Sequence, residues 1–165
     1  MLLQRYDAQE YWIDAIPEEP NAGYDSVVTL CTAVSVNILL ASDHPVIRSN
    51  LRRLLEKEPD FQVIAEAANS REASALAEHR APDVLVLDIT LPRAGGVAAA
   101  KEISSRKQHP EIVFIAAYAD EIYIAEAFKA GARGYVSADA AQFDLVRAIR
   151  SVLSGGEFIS PSISV

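Results

Sequence analysis

The chain has 165 residues, half of them apolar, with 23 Asp and Glu against 15 Lys and Arg and a formal net charge of -8. That length buries a sizeable core but falls short of two full domains, and the charge argues against nucleic-acid binding through clustered Lys and Arg. Cys31 is the single cysteine, which excludes an internal disulfide or a cysteine-cluster metal site, and with neither a bilayer-length apolar run nor a signal-peptide pattern the expected location is cytoplasmic.

Residues 1–34 carry Asp7, Glu10, Asp14, Glu18, Glu19 and Asp25 against Arg5 alone, a net of -5 that leaves -3 for the rest. Pro17, Pro20, Asn21 and Gly23 break any period, so this part reads as an acidic arm, irregular or disordered, with a short helix around Tyr6 to Ile16. A natural start at Val34 is the alternative reading of the same boundary.

From Ser35 the pattern changes to regular alternation. Strand-like apolar runs at 36–41, 61–67, 83–87, 111–116 and 134–136 are each followed by a helical period, near 45–57, 70–80, 95–107, 120–130 and 140–154. The runs at 84–87 and 112–115 are apolar throughout, as central parallel strands covered on both faces must be. Ser70 is placed to cap the second helix, Gly131 to stop the fourth, and Gly155-Gly156 to stop the fifth. Five βα units are too few for a closed eight-fold barrel. The expected fold is therefore α/β, a five-stranded parallel doubly wound sheet in the order 2-1-3-4-5. The predicted organisation is an arm at 1–34, a globular domain at 35–161 and a tail at 162–165.

Two acids stand where strands surface: Asp43 just beyond the first and Asp88 at the end of the third. Ligands of such sheets bind outside the carboxyl ends of the strands, and acids there suit a cation or a phosphoryl group.

The stretches Asp43-His44-Pro45-Val46-Ile47-Arg48, Leu51-Arg52-Arg53-Leu54-Leu55, Asp88-Ile89-Thr90-Leu91-Pro92 with Gly96, and Ala127-Phe128-Lys129-Ala130-Gly131-Ala132-Arg133-Gly134-Tyr135 resemble the receiver domains of two-component response regulators, in the NarL/FixJ subgroup. The resemblance covers about residues 36–161 and implies a flavodoxin-like receiver fold. It also implies a chemistry. An aspartate attacks the phosphorus of a histidine phosphate while Mg²⁺ neutralises charge, a hydroxyl at the end of the fourth strand and a lysine after the fifth hold the phosphoryl oxygens, and an aromatic residue three positions before the lysine swings inward.

Matched position by position, this resemblance makes Asp88 the phosphoacceptor and Asp43 the direct metal ligand, with the Thr90 backbone carbonyl as a further ligand. The remaining positions are degenerate. Ser42 replaces the first acid, Ala116 the hydroxyl residue and Ala138 the lysine, while Tyr135 keeps the aromatic place. The usual pocket sums to -2, and so does this one, because an acid and a base are lost together. Bound phosphate would lose several charge-assisted contacts of roughly 1.5–3 kcal/mol each, so Mg²⁺ binding should be weak or absent and phosphorylation impaired or absent. Arg93 is the one cation near Asp88 in sequence, with a solvated loop residue as its plainer reading. Lone His44, His79 and His109 form no zinc site, and surface roles are expected for the last two.

Partners follow from the same resemblance: a histidine kinase or another signalling protein, and a homodimer through the fourth and fifth helices. There Ile122, Tyr123, Phe128, Phe143 and Val146 mix with Glu121, Glu126, Arg147 and Arg150, so arginine–glutamate pairs across subunits are expected. Regulators of this type continue beyond the segment resembling Gly156-Glu157-Phe158-Ile159-Ser160-Pro161 into a helix-turn-helix domain. This sequence fits either a stand-alone receiver or a piece of a longer regulator, with no direct nucleic-acid contact from the residues shown and no membrane contact. Two functions are weighed: a regulatory interaction module of degenerate pocket, which is preferred, and a working phosphoacceptor that takes phosphate on Asp88 from a dedicated histidine kinase. Nothing arranges a Ser-His or Cys-His nucleophile, so an enzyme is not expected.

Overall fold

The computed structural model describes residues 34–117 and 120–163; apart from Val34, the expected arm lies outside them. In chain order the elements are β1 (Val36–Ala41), α1 (Pro45–Leu55), β2 (Phe61–Ala67), α2 (Ser70–Arg80), β3 (Val84–Asp88), α3 (Gly96–Ser104), β4 (Glu111–Ala116), α4 (Glu121–Lys129), β5 (Gly134–Ser137), a 3₁₀ turn (Ala138–Ala140), α5 (Ala141–Leu153) and β6 (Phe158–Ile159). The strands form one parallel sheet in the order β2-β1-β3-β4-β5-β6. The expected five strands and their order are present. The sixth, β6, was not anticipated, because two residues are too few to show a period.

Alternation along each strand splits the core in two. Leu39, Leu85, Leu87, Phe114 and Tyr135 face α2, α3 and α4 through Ala73, Ala77, Ala100, Ile103 and Ala127. Ile38, Leu40, Val84, Val86, Val113, Ile115 and Val136 face α1 and α5 through Leu51, Leu55, Leu145, Ile149 and Val152. Burying each large aliphatic side chain contributes about 1.5–3 kcal/mol, so both faces of β3 and β4 are strongly specified.

The element ends follow local chemistry. Pro45 opens α1, where its missing N–H costs nothing. Ser70, expected to cap α2, is instead its first residue. The cap is Asn69, whose side chain accepts from the Glu72 N–H at 3.1 Å, because its extended backbone (φ -156°) aims the amide oxygen at the first turn. Ser70 Oγ is left to pin the loop after β3, donating to Pro92 O at 3.3 Å and accepting from Ala94 N at 3.2 Å. Gly131 (φ 97°) and Gly155 (φ 86°) close α4 and α5 as expected.

Ile163 is buried in the same cluster as Tyr135. Arg150 is engaged within the chain: the loop between α1 and β2 brings Asp60 and Glu58 under the last turn of α5, each 2.8 Å from the guanidinium, which also stacks on Phe61 at 4.7 Å. Arg147 lies 3.5 Å from Asp144. Both of these arginines lie near carboxylates of their own chain.

Candidate functional site

β1 and β3 are neighbours, with Ala41 opposite Leu87, and this register carries Ser42 and Asp88 to adjacent points at the carboxyl edge of the sheet. Ser42 is buried at 2% exposure, and its hydroxyl donates to Asp88 Oδ2 at 2.9 Å while accepting from the His44 N–H at 3.3 Å. The other carboxylate oxygen is also taken. Thr90 donates to Asp88 Oδ1 from its backbone N–H at 2.9 Å and from its hydroxyl at 2.7 Å. The turn that makes this contact depends on a close approach: a Cβ on Gly96 would stand 2.4 Å from Asp88 O and 2.9 Å from Ile89 Cα.

Asp43 behaves differently. Its Oδ1 is buried without a hydrogen-bond partner, 3.6 Å from His44 Nε2, which is too long for a hydrogen bond. A buried carboxylate oxygen without a hydrogen-bond partner suits a hydrated divalent cation, so Asp43 fits the Mg²⁺ that receiver domains bind. Among the described residues no group of three or more His, Cys, Asp or Glu side chains gathers as a metal site.

The two residues expected at the hydroxyl and lysine positions carry no polar side-chain group. Ala116 is buried at the end of β4, opposite Ser137, and Ala138 is exposed at the start of the 3₁₀ turn. Tyr135 is fully buried, with its ring 6.5 Å from that of Phe114, and burial, with Asp120 and Tyr123 adding to it, raises the pKa of its phenol. Arg93 is exposed in a left-handed conformation (φ 79°). His44, His79 and His109 are all exposed.

The cation that does reach this region is Arg48, which the sequence reading passed over as part of a motif. One turn into α1, it donates to the Ser42 carbonyl from Nη1 and pairs with Glu66 on β2 at 3.2 Å. Glu66 also accepts from Arg52 at 2.8 Å. Arg48, Ser42 and Asp88 line a cavity of about 10 Å³, the size of one water, together with Ile47, Leu51 and Ile115. The available signal was the spacing of Arg48 and Arg52, which places both on one helix face toward the acid near the end of β2.

The family model for the response regulator receiver domain matches residues 38–150. The chain belongs to the response regulator receiver family. It is 33% identical over 129 residues to the response regulator UvrY of Escherichia coli (strain K12), covering 78% of this chain and 59% of that protein. To the transcriptional regulatory protein DegU of Brevibacillus brevis it is 30% identical, covering 78% of this chain and 55% of that one. The crystal structure of a LuxR-family two-component response regulator from Aurantimonas sp. SI85-9A1 superposes with a TM-score of 0.75 at 37% identity, covering 78% of this chain and 92% of that one. This receiver therefore lies close to the NarL/FixJ and LuxR-type regulators and spans little more than half the length of the curated relatives. No described helix is long and apolar enough to cross a membrane.

Proposed function

We propose that this receiver is a regulatory interaction module of a two-component system whose conformation is not set by phosphate on Asp88. The observation that carries this reading is the Ser42–Asp88 hydrogen bond at 2.9 Å. Where a second acid would draw in a cation, a neutral hydroxyl instead satisfies the acceptor carboxylate, and Thr90 satisfies its other oxygen. Asp88 thus begins any reaction with both oxygens engaged, and the product would meet an alanine at 116 and at 138. Mg²⁺, when bound, would neutralise charge on an incoming phosphoryl group. Asp43 and the Thr90 carbonyl would hold it weakly without a third carboxylate.

The module acts in the cytoplasm, within a domain beginning near residue 35. Its partners are a histidine kinase or another signalling protein, and a second copy through the surface of α4 and α5. There Ile122, Tyr123 and Phe143 are exposed at 67%, 51% and 70%. A transcription-regulating output, such as the name of DegU states for that protein, would lie outside these residues. A second reading is favoured by the orphaned Asp43 oxygen: a dedicated kinase loads Asp88 despite the degenerate pocket.

Phosphotransfer from the cognate kinase, followed by mobility shift on phosphate-affinity gels for the native chain and Asp88→Asn, separates the two. The module reading expects identical unshifted bands. A shifted band that Asp88→Asn abolishes supports the second reading.

A further inference from the structure

The segment after α5 does more than end the domain. Phe158 donates its N–H to Arg133 O and Ser160 to Tyr135 O, both at 2.9 Å, so the chain zips onto the outer edge of β5. Ser160 is almost fully buried and its hydroxyl accepts from the Ser137 N–H at 3.2 Å, which satisfies the last strand residue before Ala138. The chain then turns, Ile163 N–H to Ser160 O at 2.9 Å, and Ile163 enters the buried cluster that holds Tyr135, Ile124, Ala127 and Ala130. On the opposite face Phe158 packs with the α5 cluster under Arg147, 5.8 Å from its ring. The segment therefore grips both faces of the sheet at the strand that carries the largest fully buried side chain, Tyr135.

We propose that residues 158–163 form a strap that seals Tyr135 into the core and closes the β5 edge, so that release of this segment is a conformational switch of this domain. Release has three physical consequences. The N–H and C=O groups along the outer edge of Gly134–Ser137 lose their partners and become available to another strand. Tyr135 loses its buried cover at Ile163. Ile159 leaves the wall of the apolar groove it makes with Glu121, Ile124, Ala125 and Phe128 on α4, so that surface changes shape at the same time. Two residues of strand and one buried isoleucine are a small fastening, of the kind that opens locally while the rest of the domain stays folded. The proposal goes beyond the reading of Asp88 and holds whether or not a kinase loads it.

Hydrogen–deuterium exchange of the full chain tests it, comparing Ile163→Asp, the milder Ser160→Ala, and Asp88→Ala. Both strap variants are expected to speed exchange across β5 and α4, by roughly tenfold or more for Ile163→Asp, while β1 and β3 stay protected and Asp88→Ala leaves β5 unchanged. Unchanged β5 protection in both strap variants, or an equal effect from Asp88→Ala, overturns the proposal. Should Ile163→Asp expose β1 and β3 as well, Ser160→Ala decides alone by the same criterion.

Discussion

Ser42 and Asp88, 46 residues apart, are joined by a single hydrogen bond of 2.9 Å between the ends of adjacent parallel strands. The bond places a neutral donor where the family resemblance calls for an acid, and in the proposed reading it also occupies the acceptor carboxylate. Arg48, bound to the Ser42 carbonyl and to Glu66, holds the backbone that positions that hydroxyl.

Ser42→Ala removes the donor to Asp88 Oδ2 and the acceptor for the His44 N–H. Stability should fall by about 1–3 kcal/mol, the cost of stranding partly buried polar groups, and the loss is read as a shift of the urea midpoint at constant slope. An unchanged midpoint would mean that water replaces the hydroxyl without cost.

Gly96→Ala puts a methyl group 2.4 Å from the Asp88 carbonyl oxygen. Backbone must move to accommodate it, so a loss of about 1–3 kcal/mol is expected, together with amide shifts at Ile89 and Thr90 in NMR spectra. Gly95→Ala is a weaker comparison for crowding, since its Cβ would meet nothing within 4 Å, although its φ of 84° strains any side chain.

The phenol of Tyr135 has a raised pKa, chiefly through burial. A group raised in the folded state contributes stability that is fully present below its unfolded value near 10 and is lost as pH climbs through the folded value. Alkaline unfolding should therefore be shifted to higher pH in Tyr135→Phe, and in the native chain Tyr135 should be the late component of a phenolate absorbance titration.

At the acid end the signs reverse. The Arg150 guanidinium beside Asp60 lowers that carboxyl, and the Ala68 and Asn69 contacts lower Glu72. Their contribution is present above the ordinary values of 3.8 and 4.5 and fades as pH falls through the depressed ones. Asp60→Asn and Glu72→Gln should each flatten the fall in melting temperature below those values, modestly, because Asp60 is half-buried and Glu72 exposed, so solvent screens both.

Most of the fold was legible because its signals are local or periodic. The continuous apolar runs of β3 and β4, the Pro45 helix start and the Gly131 and Gly155 stops all depend on residues near in sequence. What was missed depends on residues brought together from afar. β6 has no period of its own and exists because Ser160 and Ile163 find partners around Tyr135. The Asn69 cap was misplaced by one residue, since Ser70 and Asn69 are equally good by type and only the backbone angle chooses between them. The resemblance singled out Ser42, but its bond to Asp88 required the register of β1 on β3. The pairing of Arg150 with Asp60 and Glu58 likewise spans the chain.

In the proposed function the substituted pocket, and not the position of Asp88, limits phosphorylation. This claim is tested most directly by comparing Mg²⁺-dependent labelling from acetyl phosphate in the native chain and in Ser42→Asp/Ala116→Thr/Ala138→Lys, with Asp88→Ala as the blank. Restoring contacts of roughly 1.5–3 kcal/mol each should raise the labelling rate by at least about tenfold over a native chain near the blank. Stoichiometric labelling of the native chain at the rate of the triple variant, lost in Asp88→Ala, would contradict it.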